Sequence, residues 1–410
     1  MIGKYFNGVI EQVYQKIGLE DRNIVMARYS NYLSVSDLES VKRYSEKGNN
    51  VFFACSELES DGIVGAYEPF LDVICEMYHQ YGNGKFSEFL EECDVYPLQR
   101  GVLLSYYQTG RCTRRENVLL NEVEYEQRRM TEAVVAMISR LAESHPVMFL
   151  INRFQYASRS TVELVRLLLL KGTKNIGIVL GMNEQMSIPE SAGKSWHILL
   201  EQLEDLSCIY HIGNSMEHES DNETEPTEEV AEDKTQMLVR LGNMIELLDF
   251  EQASAYIRKM DRQIWFDNLT VTNHEKFMLY SLYIWGSILC GDISKALEMT
   301  DELSALQLPG QAWEAEYYKE YFRGTCYMYQ GKLAKGLHHA KIAQEMAKRE
   351  ENEKLEFEAE LLAVQNQMSG WYNIFFCAQD VPISDAFIEK LEKYGYRNNL
   401  AHIYIYAYDN

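Results

Sequence analysis

His145-Pro-Val-Met-Phe-Leu-Ile-Asn-Arg-Phe-Gln-Tyr-Ala-Ser-Arg-Ser-Thr-Val-Glu-Leu-Val-Arg-Leu-Leu-Leu-Leu170 decides the fold. Val147 to Ile151 is an unbroken apolar run, the pattern of a strand buried on both faces of a parallel sheet. A polar turn follows, in which Ser158 and Ser160 are candidate helix caps. Val162, Leu164, Val165, Leu167 and Leu168 then recur at helical spacing. Strand, short turn and helix form half of a βαβ unit, so the surrounding chain is expected to be α/β with a parallel sheet.

Working outward, apolar runs predict further strands over residues 23–29, 50–55, 175–181 and 208–212. Helical periodicity fills the intervals, first through Phe6, Val9, Ile10 and Val13, and later through Phe70, Leu71, Ile74 and Met77. A long helix is expected to lead from Glu116 through Val134 and Leu141 into the strand at Val147.

The composition bounds the function. The 410 residues suffice for two or three domains. Acidic residues outnumber basic ones 62 to 39, giving a net charge of −23. Such a surface repels nucleic acid and anionic membrane, so neither is an expected partner. No apolar run reaches the roughly 18 residues of a membrane span. The N-terminal residues lack the apolar core of a signal peptide. The eight cysteines include no Cys-x-x-Cys and read as reduced, buried thiols. These features predict a cytoplasmic protein.

The strand from Val147 and the segment after it resemble the Walker B region of the STAND and AAA-type NTPase domains of bacterial signalling proteins. The order strand, loop, helix, strand over residues 23–55 is similar to that family's first strand, P-loop, first helix and second strand. Tyr67-Glu-Pro-Phe70 resembles the family's aromatic-x-Pro-Phe element. The resemblance implies a P-loop-NTPase-like α/β fold. It also implies an acidic residue at the end of the central strand, serving Mg²⁺ and the hydrolytic water. Here that position is Asn152, a poor ligand for a hard cation and no base. A P-loop needs glycines to wrap phosphates, a Lys for their charge and a Ser or Thr for Mg²⁺. No glycine stands between Gly18 and Gly48, and Val35 falls at the Lys position. Ser36 fits the hydroxyl position and equally an N-cap. Asn183 is either the counterpart of the family's polar sensor or an ordinary strand-end asparagine. Both Walker motifs are therefore degenerate. ATP with Mg²⁺ is what the resemblance implies, but no catalytic residue, no metal and no cofactor is expected. Gly193-Lys-Ser195 matches the end of a P-loop, but it follows the Walker-B-like strand and reads as a helix start.

Residues 1–213 are thus read as a degenerate NTPase-like α/β domain. Residues 214–234 are strongly acidic with almost nothing to bury, and read as a linker. Residues 235–410 have helical periodicity throughout. Asp249-Phe-Glu-Gln-Ala253, Asp292-Ile-Ser-Lys-Ala296 and Lys332-Leu-Ala-Lys-Gly336 superpose, with Gly291 and Gly331 in the preceding turns. Gly324, Tyr327, Gly336, Ala340 and Ala343 resemble the small and aromatic positions of tetratricopeptide repeats, which implies an all-α solenoid.

In such repeats a concave groove is lined mainly by the first helix of each pair. The resemblance makes Tyr280, Tyr283, Tyr317, Glu320, Glu356 and Glu360 candidate contacts for a protein or peptide with basic and apolar residues. The alternative is that the tyrosines fill the core between repeats. His338 and His339 point about 100° apart on a helix and cannot share one ligand. The expected function is a cytoplasmic signalling or scaffold module, not an enzyme, with oligomerisation left open. The alternatives are a STAND-type nucleotide switch with unorthodox motifs, or a sensor half whose output domain, a diguanylate cyclase or a helix-turn-helix, lies elsewhere.

Overall fold

A computed structural model describes residues 2–29, 51–58, 64–112, 123–184, 188, 193–212, 234–249, 252–253, 256, 273–289, 291–305, 312–372, 383–394 and 396. The chain divides into two compact units, Met1–Val118 with Val123–Gln252, and Leu119–Glu122 with Ala253–Asn410. Among the described residues no helix is long and apolar enough to cross a membrane.

The first unit is built on five parallel strands: β1 (Asn23–Tyr29), β2 (Phe52–Glu57), β3 (Val147–Asn152), β4 (Ile176–Asn183) and β5 (Ile209–Ile212). Their order is β2-β3-β4-β1-β5. All six residues of β3 are buried, as its unbroken apolar run requires of an interior strand in a sheet covered on both faces. Helix α1 (Ile2–Lys16) lies on one face. Its Phe6, Val9, Ile10 and Val13 join Val25, Met148, Leu150 and Val179 in one apolar core. A β-carbon at Gly177 would lie 2.8 Å from Ile17 Cδ1, so the glycine lets the chain at the end of α1 settle directly on β4.

The opposite face of the sheet carries α2 (Phe70–Tyr81), and α5 (Val123–Ser144) packs on both α2 and α6 (Arg159–Lys171). Phe70 of α2 packs on Phe149 at 4.5 Å between ring centroids. Met148 and Leu150 face α1 while Phe149 faces α2, the alternation expected along a strand. Helices α3 (Phe86–Glu92) and α4 (Pro97–Thr109) follow α2 in the chain, and α7 (Gly193–Asp205) precedes β5. Ser158 caps α6, its side chain accepting from Thr161 N–H at 3.3 Å. Lys194 and Ser195 lie in the first turn of α7, a helix start as the sequence predicts.

The first unit extends beyond the boundary drawn from sequence. Helix α8 (Lys234–Glu246) belongs to it, and the division follows Gln252 rather than Lys234. Side-chain bonds hold this segment to the α/β body. Asn243 accepts from Cys112 N–H at 2.7 Å and donates to the Gly110 carbonyl at 3.0 Å, and Gln127 donates to the Leu248 carbonyl. The acidic stretch 214–233 lies outside the described residues.

The second unit is helical: α9 (Asn273–Leu289), α10 (Ile293–Ser304), α11 (Ala312–Tyr329), α12 (Leu333–Arg349), α13 (Glu353–Tyr372) and α14 (Asp385–Tyr394). Helices α9 to α13 each pack on the next in the chain, and α9 also touches α11 and α11 touches α13. Gly291 and Gly331 adopt left-handed φ of 78° and 71° in the turns before α10 and α12. Gly324 of α11 and Gly336 of α12 bring those backbones together. A β-carbon at Gly324 would lie 3.2 Å from the Gly336 carbonyl oxygen.

Candidate functional site at the carboxyl edge of the sheet

Open parallel sheets bind ligands outside the carboxyl ends of their strands, so the ends of β1, β3 and β4 are the place to look. Three residues close these strands: Tyr29, Asn152 and Asn183. Tyr29 pairs with Asn183 in register across β1 and β4. Asn152, on the far side of β4, is 1% exposed and Tyr29 2%. The Tyr29 hydroxyl donates to Asn152 Oδ1 at 2.7 Å.

That bond spans a strand. It passes over Gly181 of β4, where a β-carbon would lie 2.7 Å from Asn152 Oδ1 and 3.4 Å from Tyr29 Cε1. Only a residue without a side chain leaves the phenol and the amide room to meet. Strand-interior glycines commonly mark such close approaches.

Among the described residues the rest of the edge is neutral or internally paired. The Asn183 N–H donates to Gln155 Oε1 at 3.3 Å, and the Glu184 N–H donates to the Tyr29 carbonyl at 3.0 Å. Glu184 in turn meets His211 Nδ1 at 2.9 Å. Arg153, in the left-handed region at φ 53°, pairs with Glu57 at 3.0 Å. The structure thus brings Asn152 and Asn183 to one edge, and Asn152 meets a phenol there. Val35 and Ser36 lie outside the described residues. Tyr29 and Gly181 were not singled out from sequence, although a glycine inside an apolar strand is the signal that could have found them.

A second polar cluster lies at the start of α6. Asp249 Oδ2 accepts from Ser160 Oγ at 2.6 Å and Ser160 N–H at 3.2 Å. A carboxylate there satisfies exposed helix donors and meets the positive end of the helix dipole. Ser160 Oγ also accepts from Tyr67 N–H at 3.2 Å, and the Tyr67 hydroxyl lies 3.0 Å from Thr131 Oγ1. Burial pushes the Tyr67 phenol well above its ordinary pKa. Asp249 N–H bonds back to the Met244 carbonyl at 2.7 Å, as Asp292 does to Ser287 at 2.8 Å and Lys332 to Tyr327 at 2.8 Å. The repeat signature therefore captured a shared helix ending. In Asp249, however, the side chain serves the α/β unit.

In the second unit, the six candidate groove residues separate. Tyr317 is fully buried, with its hydroxyl donating to the Leu355 carbonyl at 2.7 Å. Tyr283 is buried in the same core, and Lys295 Nζ lies 5.1 Å from its ring centre. These two are core residues and do not line an open groove. Both sit on helices rich in aromatic residues, where periodicity alone does not say which ring turns inward. Glu320 is buried against His339, 2.6 Å from its Nδ1, and 3.4 Å from Arg323. Tyr280, Glu356 and Glu360 stay partly exposed. Tyr280 donates to Glu302 at 3.0 Å, and Glu360 accepts from Lys390 at 3.3 Å. His338 is exposed and His339 partly buried. Among the described residues no group of three or more His, Cys, Asp or Glu could hold a metal ion.

No known family model matches the sequence, and no curated protein is significantly similar to it.

Proposed function

We propose that this chain is a cytoplasmic signalling or scaffold module. Its α/β unit is a P-loop-NTPase-like body without hydrolytic activity, and its helical unit is a tetratricopeptide-like surface for a protein or peptide partner. The observation that carries this reading is the bond from Tyr29 to Asn152 over Gly181. Phosphoryl transfer at such an edge needs an anionic ligand for Mg²⁺ and a residue that orients water. A neutral amide is no anionic ligand, and the oxygen of this one is already engaged by a phenol.

The helical unit supports the partner-binding half of the proposal. The contacts of α9 with α11 and of α11 with α13 are compatible with stacked helix hairpins. The partly exposed Tyr280, Glu356 and Glu360 favour a peptide carrying Lys or Arg beside a large apolar side chain. The test is an array of basic-apolar peptides probed with the full chain and with variants Tyr280→Ala and Glu356→Lys. The reading expects a peptide bound by wild type and lost in both variants at unchanged melting temperature. Peptide binding that is indifferent to both substitutions, or no binding across the array, removes this surface as the partner site.

A further inference from the structure

A cleft of about 550 Å³ opens on the first unit, lined by residues of α5, α6, α7 and the segment after α8. Small-molecule sites span roughly 300–1,000 Å³. Charge in this cleft runs against the rest of the chain. Among the described residues that line it, four are cations, Arg128, Arg159, Arg166 and Lys194, and three are acids, Glu132, Glu163 and Asp249. Overall, acids outnumber bases 62 to 39.

All three acids are committed. Glu132 pairs with Arg128 at 3.1 Å and Glu163 with Arg166 at 2.7 Å. Asp249 is bonded to Ser160 at the N-terminus of α6, where the helix dipole offsets its charge. Lys194 is exposed and meets no carboxylate among the described residues. The described lining of the cleft therefore carries a net positive charge in an acidic protein.

Its other wall is apolar. Arg159, Glu163, Arg166 and Leu170 follow one face of α6, at spacings of four, seven and eleven residues. Leu170 is 62% exposed, among the few large apolar side chains described that face solvent. Leu167 is half-buried beside it and Leu247 buried. An exposed leucine and an exposed lysine that meets no described carboxylate, both bordering one cleft, form an arrangement that takes a ligand with a charged head and an apolar body.

The geometry points to a binding site for a small amphiphilic monoanion. Its carboxylate or sulfonate head meets Lys194, and its hydrocarbon body covers Leu167 and Leu170. This site is separate from the Tyr29–Asn152 edge, and the inference does not depend on the proposed function.

Equilibrium dialysis of radiolabelled octanoate against the full chain tests it, with octan-1-ol as the uncharged control. Lys194→Glu and Leu170→Ser are the variants, both at exposed side chains that carry no core packing. The expected result is saturable octanoate binding, weakened about tenfold or more in each variant, a loss of at least ~1.4 kcal/mol. Octanol binds far less, and the variants melt as wild type does. Absence of saturable octanoate binding overturns the inference. So does equal binding of octanol, or binding unchanged in both variants.

Discussion

The Tyr29 hydroxyl at the end of β1 reaches across β4 to donate to Asn152 Oδ1 at the end of β3, 2.7 Å away, and Gly181 lies beneath the bond. Two strands that are not neighbours are thereby tied at their carboxyl ends. The tie joins two neutral groups at the carboxyl edge of the sheet.

Removing the tie has a calculable consequence. Tyr29→Phe keeps the ring and leaves Asn152 Oδ1 buried without its donor. An unsatisfied buried acceptor costs about 1–3 kcal/mol. The unfolding free energy should fall by that amount, read as a lower urea midpoint with little change in slope. Asn152→Asp places a carboxylate where the side chain is 1% exposed, and it should also lower the midpoint. It should not create ATP hydrolysis, because the Tyr29 phenol still stands against it.

Gly181→Ala tests the same geometry from the third strand. Its β-carbon would meet Asn152 Oδ1 at 2.7 Å. Overpacking of a filled core costs about 1–3 kcal/mol. Combining it with Asn152→Ala, which removes the obstructing amide, should cost less than the sum of the single changes, as double-mutant cycles report for residues in contact. Additive costs would mean that the two positions do not meet.

The helical unit offers a parallel case. A β-carbon at Gly336 would lie 1.9 Å from Asn366 Oδ1 on α13. Gly336→Ala should therefore destabilise this unit by about 1–3 kcal/mol. Asn366→Ala in the same chain should recover part of the loss. Thermal unfolding followed by circular dichroism reads both.

Stability should fall in alkali for a defined reason. Burial raises the pKa of the Tyr67 and Tyr317 phenols above their ordinary value of 10.0. Each folded phenol holds its proton at pH values where the unfolded one releases it. The stability contribution is full below pH 10.0 and is lost as pH rises above that value towards the folded pKa. The melting temperature should therefore decline beyond that point, and Tyr67→Phe should flatten the decline. A variant as steep as wild type would remove Tyr67 from this account.

Much of the fold is legible in the sequence, since long apolar runs and helical stripes record burial directly. Val147–Ile151 gives β3, Ser158 gives the cap of α6, and Gly291 and Gly331 give left-handed turns. What is not legible depends on which elements become neighbours. Tyr29 and Asn152 are 123 residues apart, and nothing local to either says that β4 separates them by one glycine. Asp249 carries the same helix-ending pattern as Asp292, so the sequence groups them. Asp292 caps its own helix, accepting from Lys295 N–H, whereas Asp249 accepts from Ser160 in the first turn of α6, a helix of another segment. Tyr317 reads equally as groove or core until its hydroxyl is seen on the Leu355 carbonyl.

The central claim is that the carboxyl edge of the sheet is closed to nucleotide chemistry. Titration of the purified full chain with a fluorescent ATP analogue, with and without Mg²⁺, tests it most directly when phosphate release is followed in the same samples. The account predicts no Mg²⁺-dependent saturation into the millimolar range and no phosphate release above the protein-free rate. Micromolar, Mg²⁺-dependent binding with turnover, both lost in Asn152→Ala, would contradict it.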